Sequence, residues 1–151
     1  MAHKIILDTD PGIDDAMAIF FAFQSPDIDV LGLTTVYGNV PVTMAAQNAL
    51  TLCEFAGKDI PVTKGVGMPW VGPESTYAHF VHGDYGFGHM KPEAPKGELD
   101  PRSAAQFIVD TARKYPGEVT IVAIGPLGNL ALALRLEPDL PKLVKGVSIM
   151  I

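Results

Sequence analysis

Apolar residues along this chain alternate between two rhythms. Ile5-Ile6-Leu7 is a short continuous apolar run that closes on Asp8, the pattern of a strand buried on both faces. Over residues 14–24 the apolar positions Ala16, Ile19, Phe20 and Phe23 follow helical spacing. Residues 28–36, with Val30, Leu31, Leu33 and Val36, predict a second buried strand. Residues 42–56 are alanine-rich and helical, and Gly57 stops them. Residues 60–62 predict a short strand. Residues 101–115 predict a helix capped by Asp100, with Pro101 at the first helical position. Residues 119–124 predict a third clear strand, and Gly125-Pro126-Leu127-Gly128 turns into a helix reaching about Leu136. A further strand begins at residue 144. Strands alternating with helices of this length predict an α/β fold, a mostly parallel sheet flanked by helices on both faces.

Residues 65–101 break the rhythm. These 37 residues hold seven Gly and five Pro, so they predict a long loop or a set of turns inside a single α/β domain spanning residues 1–151. Three of the four histidines, His79, His82 and His89, fall there. Such loops serve more often as lids or binding loops than as linkers. The chain stops at Ser148-Ile149-Met150-Ile151, within an apolar run, which reads as a truncated piece of something longer.

Composition narrows the class. An apolar fraction of 48% with 19% charged residues reads as a packed globular protein. Eleven Lys and Arg against seventeen Asp and Glu give a net charge of −6, the wrong sign for a nucleic-acid binder. No run reaches the length of a membrane span, and the apolar run after Met1-Ala2-His3-Lys4 is too short for a signal peptide. The one cysteine, Cys53, lies in an apolar helical stretch and reads as a small core residue. A single cysteine excludes an internal disulfide and fits a reducing compartment, so a cytoplasmic protein is expected.

The chemistry concentrates in residues 7–15, L-D-T-D-P-G-I-D-D, with four aspartates in nine positions. In a parallel sheet ligands collect at the carboxyl ends of the strands. Asp8 and Asp10 end the first strand, Asp14 and Asp15 open the next helix, and Pro11-Gly12 supplies the sharp turn between them. Acids in a helix's first turn gain about 0.3–1 kcal/mol each from the macrodipole, too little to hold four carboxylates together. A hard divalent cation would hold them, and carboxylate oxygens suit Ca²⁺ or Mg²⁺. The plainer reading has Asp14 capping the helix, Asp15 solvated and Asp8 bonded to backbone amides.

These residues resemble a known family. Asp8-Thr9-Asp10-Pro11-Gly12-Ile13-Asp14-Asp15-Ala16 is similar to the N-terminal signature of the inosine–uridine-preferring nucleoside hydrolases. Thr34-Thr35-Val36-Tyr37-Gly38-Asn39-Val40 resembles the family's second-strand motif and His82-Gly83 its His-Gly loop motif. Ile124-Gly125-Pro126-Leu127-Gly128-Asn129-Leu130-Ala131 resembles its Gly-Pro-Leu-Thr-Asn turn, and residues 147–151 the strand before its Gly-Gly step. The resemblance runs through the whole chain in order. It implies a Rossmann-like nucleoside hydrolase fold and hydrolysis of a ribonucleoside's N-glycosidic bond to ribose and free base, with one Ca²⁺. It also implies roles: Asp10 and Asp15 as metal ligands, Asp10 also as general base, and the Gly128 carbonyl as a third ligand. Asp14 and Asn39 would bind ribose hydroxyls, His82 would lie near the base, Met150 would line the pocket and Asp8 would support from behind.

Those roles are chemically coherent. A metal lowers the pKa of a bound water, and an adjacent carboxylate can accept its proton. Cleaving a sugar–base bond builds oxocarbenium character, which nearby negative charge stabilises. Two departures stand out. The family usually has Thr where this chain has Gly128, and a complete member runs to about twice this length, its second half bringing a further aspartate ligand, a histidine near the base, and Glu and Asn groups for the ribose. The chain thus reads as the N-terminal half, a homo-oligomer or a partner of a missing C-terminal half. A non-catalytic truncated or split fragment that pairs with another chain is one alternative. A haloacid-dehalogenase-type phosphotransferase is another, with Asp8 as nucleophile, Asp10 as acid and Mg²⁺. That family wants Thr or Val where Gly12 stands, and leaves Asp14 and Asp15 without a role. Asn39 could also be a turn former, His82 a loop histidine and Met150 core packing. His79 and His89 are expected in solvent, and Trp70 in a loop or oligomer contact.

Overall fold

The protein is described by a computed structural model covering residues 2–73 and 76–150. Five parallel strands form one sheet in the order β3-β2-β1-β4-β5. They are β1 (His3–Thr9), β2 (Ile28–Thr35), β3 (Val62–Lys64), β4 (Val119–Ala123) and β5 (Gly146–Ile149). Helices α1 (Ile13–Gln24), α2 (Val42–Phe55), α4 (Ala104–Lys114) and α5 (Gly128–Leu136) provide the crossovers and flanks. Two short helices complete the set, α3 (His79–His82) within the long loop and α6 (Leu140–Leu143) before β5.

The alternation of β1 explains the two cores. Successive side chains on a strand point to opposite faces. Ile5 and Leu7 therefore pack with Ile19 and Phe23 of α1, Leu33 of β2, and Leu52 and Cys53 of α2. Ile6 packs on the opposite face with Phe107 and Ile108 of α4, Ile121 of β4 and Leu130 of α5. Both neighbours of β1 are strands, so no residue from Ile5 to Thr9 reaches solvent appreciably. Cys53 is buried, as its apolar surroundings in the sequence predict.

This strand order also creates the site. The chain winds outward from β1 through β2 to β3, then returns to lay β4 on the other side of β1. The carboxyl ends of β1 and β4 therefore diverge at a topological switch point, where an open α/β sheet leaves a crevice. Asp10 and the turn at Gly125-Pro126 leave the sheet there.

Several boundaries differ from the sequence expectation. The fourth helix begins at Ala104 with Ser103 as its cap, whose Oγ accepts from the Gln106 N–H at 3.2 Å. Asp100 does not cap it: its carboxylate accepts instead from the Arg102 backbone N–H and guanidinium, and Pro101 lies outside the helix. Arginine offers a fixed fork of donors that satisfies both carboxylate oxygens, which one helix amide could not. The third strand begins at Val62 rather than residue 60. Pro61 has no N–H to give the ladder, and only its carbonyl is used, accepting from Leu33 at 2.9 Å. The described residues of 65–101 form the expected loop apart from the single turn of α3. Among the described residues no helix is long and apolar enough to cross a membrane.

Because Ser103 rather than Asp100 closes the helix end, Ser103→Ala should lower unfolding stability by about 1 kcal/mol in urea titration. An unchanged midpoint would show that the helix needs no such cap.

Candidate functional site

The turn between β1 and α1 is organised by one carboxylate. Asp15 is 4% exposed and accepts four hydrogen bonds. Its Oδ1 accepts from Thr9 Oγ1 at 2.5 Å and from the Asp10 N–H at 3.3 Å, and its Oδ2 accepts from the Gly12 N–H at 3.4 Å and from Asn39 Nδ2 at 2.9 Å. Asp15 is thus the third residue of α1 reaching back to its Gly12 N-cap, so the capping duty falls to Asp15 and not to Asp14. Nor is Asp15 solvated, as the plainer reading of the aspartate cluster would have it.

Asp10 sits beside it, equally buried. Its Oδ2 accepts from the Asn39 N–H at 2.6 Å, and its Oδ1 is buried with no partner among the described residues. Two glycines make room for this carboxylate. A Cβ at Gly125 would lie 2.6 Å from Oδ1, and one at Gly38 would collide with Oδ2. The rims of β2 and β4 therefore close on Asp10 with bare backbone.

Burial, then the neighbouring Asp15 charge, pushes the Asp10 carboxyl up to about 7. Burial also raises Asp15, against the hydrogen bond from Thr9 that favours its ionised form. Among the described residues no ion pair joins Asp8, Asp10 or Asp15 to a Lys or Arg. Two buried carboxylates facing each other, one with a free oxygen, form an arrangement that a cation would relieve. The donor set is incomplete: among the described residues no three His, Cys, Asp or Glu side chains gather as a metal cage.

Asp8 lies behind Asp10, fully buried. Its Oδ1 accepts from Thr34 Oγ1 at 2.5 Å and Asn129 Nδ2 at 2.8 Å, leaving Oδ2 unpaired. Burial outweighs both bonds and pushes its carboxyl up to about 6. The plainer reading bonds Asp8 to backbone amides; its partners are side chains instead. A dehalogenase-type nucleophile must meet its substrate, and Asp8 is sealed from solvent.

Asn129 is the residue that the sequence motif contained but did not single out. It is wholly buried, and its amide donates to Asp8 and to the Thr35 carbonyl at 2.9 Å while its Oδ1 accepts from the Val66 N–H at 2.9 Å. It therefore fastens the N-terminus of α5 to the ends of β1 and β2. The usable signal was a polar residue within an apolar helical stretch, directly after Gly128. Gly128 opens α5, and a Cβ there would meet Val66 at 3.2 Å. The helical turn and Val66 are already close, which suits Gly where the family pattern has Thr.

The remaining predicted site residues divide. Asn39 stands over both acids, spending its backbone and side-chain donors on Asp10 and Asp15. His82 is buried, and its Nδ1 accepts from the Ile13 N–H at 3.2 Å, so in the neutral ring the proton sits on Nε2. Asp14 is exposed, with Oδ1 3.7 Å from His82 Nδ1. Met150 follows the edge strand β5 and is 62% exposed; its N–H is bonded to the Ala123 carbonyl. Its side chain is not core packing. His79, His89 and Trp70 are largely exposed.

Residues 5–151 match the family model described as inosine-uridine preferring nucleoside hydrolase. A probable uridine nucleosidase 2 from Arabidopsis thaliana is 52% identical over 141 residues, covering 92% of this chain and 44% of its own length. An inosine-uridine preferring nucleoside hydrolase from Leishmania major is 42% identical, covering 99% of this chain and 48% of its own. Among solved structures, a plant nucleoside hydrolase superposes with a TM-score of 0.94 at 46% identity, over 99% of this chain and 48% of that one. The chain thus spans about half the length of the curated relatives it matches. With sequence match and fold in agreement over nearly the whole chain, it belongs to the inosine-uridine preferring nucleoside hydrolase family.

Proposed function

We propose that this chain supplies the cation-binding and ribose-binding part of a nucleoside hydrolase site, which cleaves the N-glycosidic bond of a ribonucleoside to ribose and free base. The observation that carries this reading is the partnerless Asp10 Oδ1, buried beside the ionisable Asp15. Asp10 and Asp15 would hold a Ca²⁺, an ion that accepts roughly six to eight oxygens in loose geometry. The carbonyl of Gly128 would add a third protein oxygen, using the lone pair that the helix leaves free. When bound, the cation lowers the pKa of a water and orients it.

The chain's own groups then have defined work. Asp10 takes a proton from the attacking water as the water oxygen bonds to the anomeric carbon; the base nitrogen leaves with the bonding electron pair and takes up a proton, so that one water is consumed and free base released. The negative turn lies where positive charge grows on the sugar, and Asp14 and Asn39 hold its hydroxyls. His82 presents Nε2–H toward the base, Met150 borders the pocket, and Asp8 with Asn129 keeps Asp10 in place. The buried thiol of Cys53 suits a reducing compartment, and we place the protein in the cytoplasm.

One observation favours an added partner. Val147 and Ile149 of the edge strand β5 are 43% and 42% exposed, an apolar edge suited to a further polypeptide segment or a second copy. Co-purification of a second chain of comparable mass would support that; a monodisperse 16.1 kDa species would count against it.

Calcium should bind the chain measurably by calorimetry, and Asp10→Asn or Asp15→Asn should each weaken it by about 10–100-fold. Equal affinity in all three proteins would move the cation elsewhere. Release of free base from inosine or uridine, abolished by chelator and by Asp10→Asn, is the functional test. Turnover that survives Asp10→Asn would remove Asp10 as base.

Without cation, stability should depend on pH in a direction set by the raised carboxyls. Asp10, near 7 when folded against about 3.8 unfolded, stabilises the fold fully below pH 4. That contribution is lost as pH rises towards 7, on the order of a few kcal/mol, with Asp8 adding in the same direction over a narrower range up to about 6. In thermal melts with chelator, Asp10→Asn should flatten this fall and raise the melting temperature at pH 8. A wild-type curve that rises between pH 4 and 7 would contradict the raised carboxyls.

A further inference from the structure

The inward face of α2 is apolar, built from Ala45, Ala46, Ala49, Leu52 and Cys53, with one exception. Asn48 is 2% exposed among them. A buried amide is costly unless bonded, and Asn forms helices less readily than Ala, so neither core packing nor propensity accounts for it. Its side-chain nitrogen donates to the Pro11 carbonyl at 3.0 Å and to the Tyr85 carbonyl at 2.9 Å. One NH₂ group has two hydrogens, and each has a target. Pro11 lies between Asp10 and Gly12 in the acid turn. Tyr85 lies three residues beyond His82.

We infer that Asn48 is a positioning residue that fixes the His82 loop against the acid turn, and so sets where His82 meets the base of a nucleoside. This deepens the hydrolase reading and rests on it. Among the described residues, two hydrogen bonds join residues 82–88 to elements outside the long loop: Ile13 N–H to His82 Nδ1, and Asn48 to Tyr85; just ahead of them the Ala78 N–H donates to the Asn39 carbonyl at 3.3 Å, and the His82 N–H to Ala78. The first depends on the orientation of the His82 ring itself. Ala78 holds the chain on the N-terminal side of His82, and the second bond is the tie that holds it on the C-terminal side.

Phe87 rests against the first core, but the packing beside Tyr85 itself is open. Behind Tyr85, between α2 and residues 91–95, lies a cavity of about 280 Å³ bordered by Met44, Gln47, Thr51 and Lys91. The backbone beside the tie is also shaped for it. Gly86 has φ +83°, and a Cβ there would lie 2.7 Å from Asn48 Nδ2 and 2.9 Å from the Pro11 carbonyl. Glycine at this position allows α2, the acid turn and the loop to meet at one amide.

Two variants of the 151-residue chain separate donation from space-filling. Asn48→Ala removes donor and volume; Asn48→Leu removes the donor and keeps a side chain of similar size. By amide exchange, both should expose Gly83 and Gly88, whose N–H groups bond to His79 and His82, about tenfold more than wild type. Val36 and Ile124, bonded to the β1 carbonyls of Thr9 and Asp8, should keep their protection relative to the global stability of each variant. The imidazole nitrogen signals of His82 should move from a single Nε2–H form towards a mixture. Calcium affinity should stay within about threefold, while inosine affinity falls about tenfold and ribose affinity holds.

Wild-type loop protection in Asn48→Leu would overturn the inference in favour of plain packing. Uniform loss across the loop and β1 would overturn it in favour of general stability. Unchanged inosine affinity despite a loosened loop would overturn the link to the base. A wild-type chain that binds no nucleoside would instead sink the hydrolase reading of this chain. The exchange and imidazole signals would then decide the role of Asn48 alone.

Discussion

The Asp15 carboxylate is the interaction on which the site depends. It draws together the end of β1 through Thr9 and Asp10, the start of α1 through Gly12, and the rim of β2 through Asn39. A single acceptor can do this because an ionised carboxylate has about four lone-pair directions and prefers charged or short bonds. With Asp15 so engaged, the turn needs no other internal cap, and Asp10 is left with an oxygen that nothing in the described chain satisfies.

That arrangement sets two demands in opposition. Folding asks that buried carboxylates be few and paired, yet the switch point of the sheet concentrates three of them, Asp8, Asp10 and Asp15, within one turn. Neutral donors carry part of the load: Thr34 and Asn129 on Asp8, Thr9 and Asn39 on Asp15. Asp10 has the least such support and the largest reason to attract a proton or a cation. Perturbed carboxyls of this kind, gathered at the mouth of a crevice, are what the proposed role of Asp10 calls for.

The surrounding elements divide into those that hold the acids and those that hold the loop. α5 reaches the acids through Asn129, and α2 reaches the loop through Asn48. Both are buried asparagines on otherwise apolar helix faces; Asn48 joins its helix to two segments distant in sequence and Asn129 to three. Amides suit this use: they donate and accept without adding charge to a site that already has an excess of it.

Much of this was legible in the sequence. The two hydrophobic rhythms determined the alternation of strands and helices, because burial on two faces and burial on one stripe leave different periods. The clustered aspartates around Pro11-Gly12 identified the acid turn, and the motif pattern identified the family. The sequence could not identify the donors that satisfy the acids. Asn129 and Thr34 meet Asp8 across 121 and 26 residues, and Asn48 meets Tyr85 across 37. The helix cap falls to Ser103 rather than to the expected Asp100, because Asp100 takes the arginine fork two residues on. Periodicity is a local property of the chain and survives in the sequence. Hydrogen-bond satisfaction in a core is decided by which segments meet, and only the tertiary structure decided that.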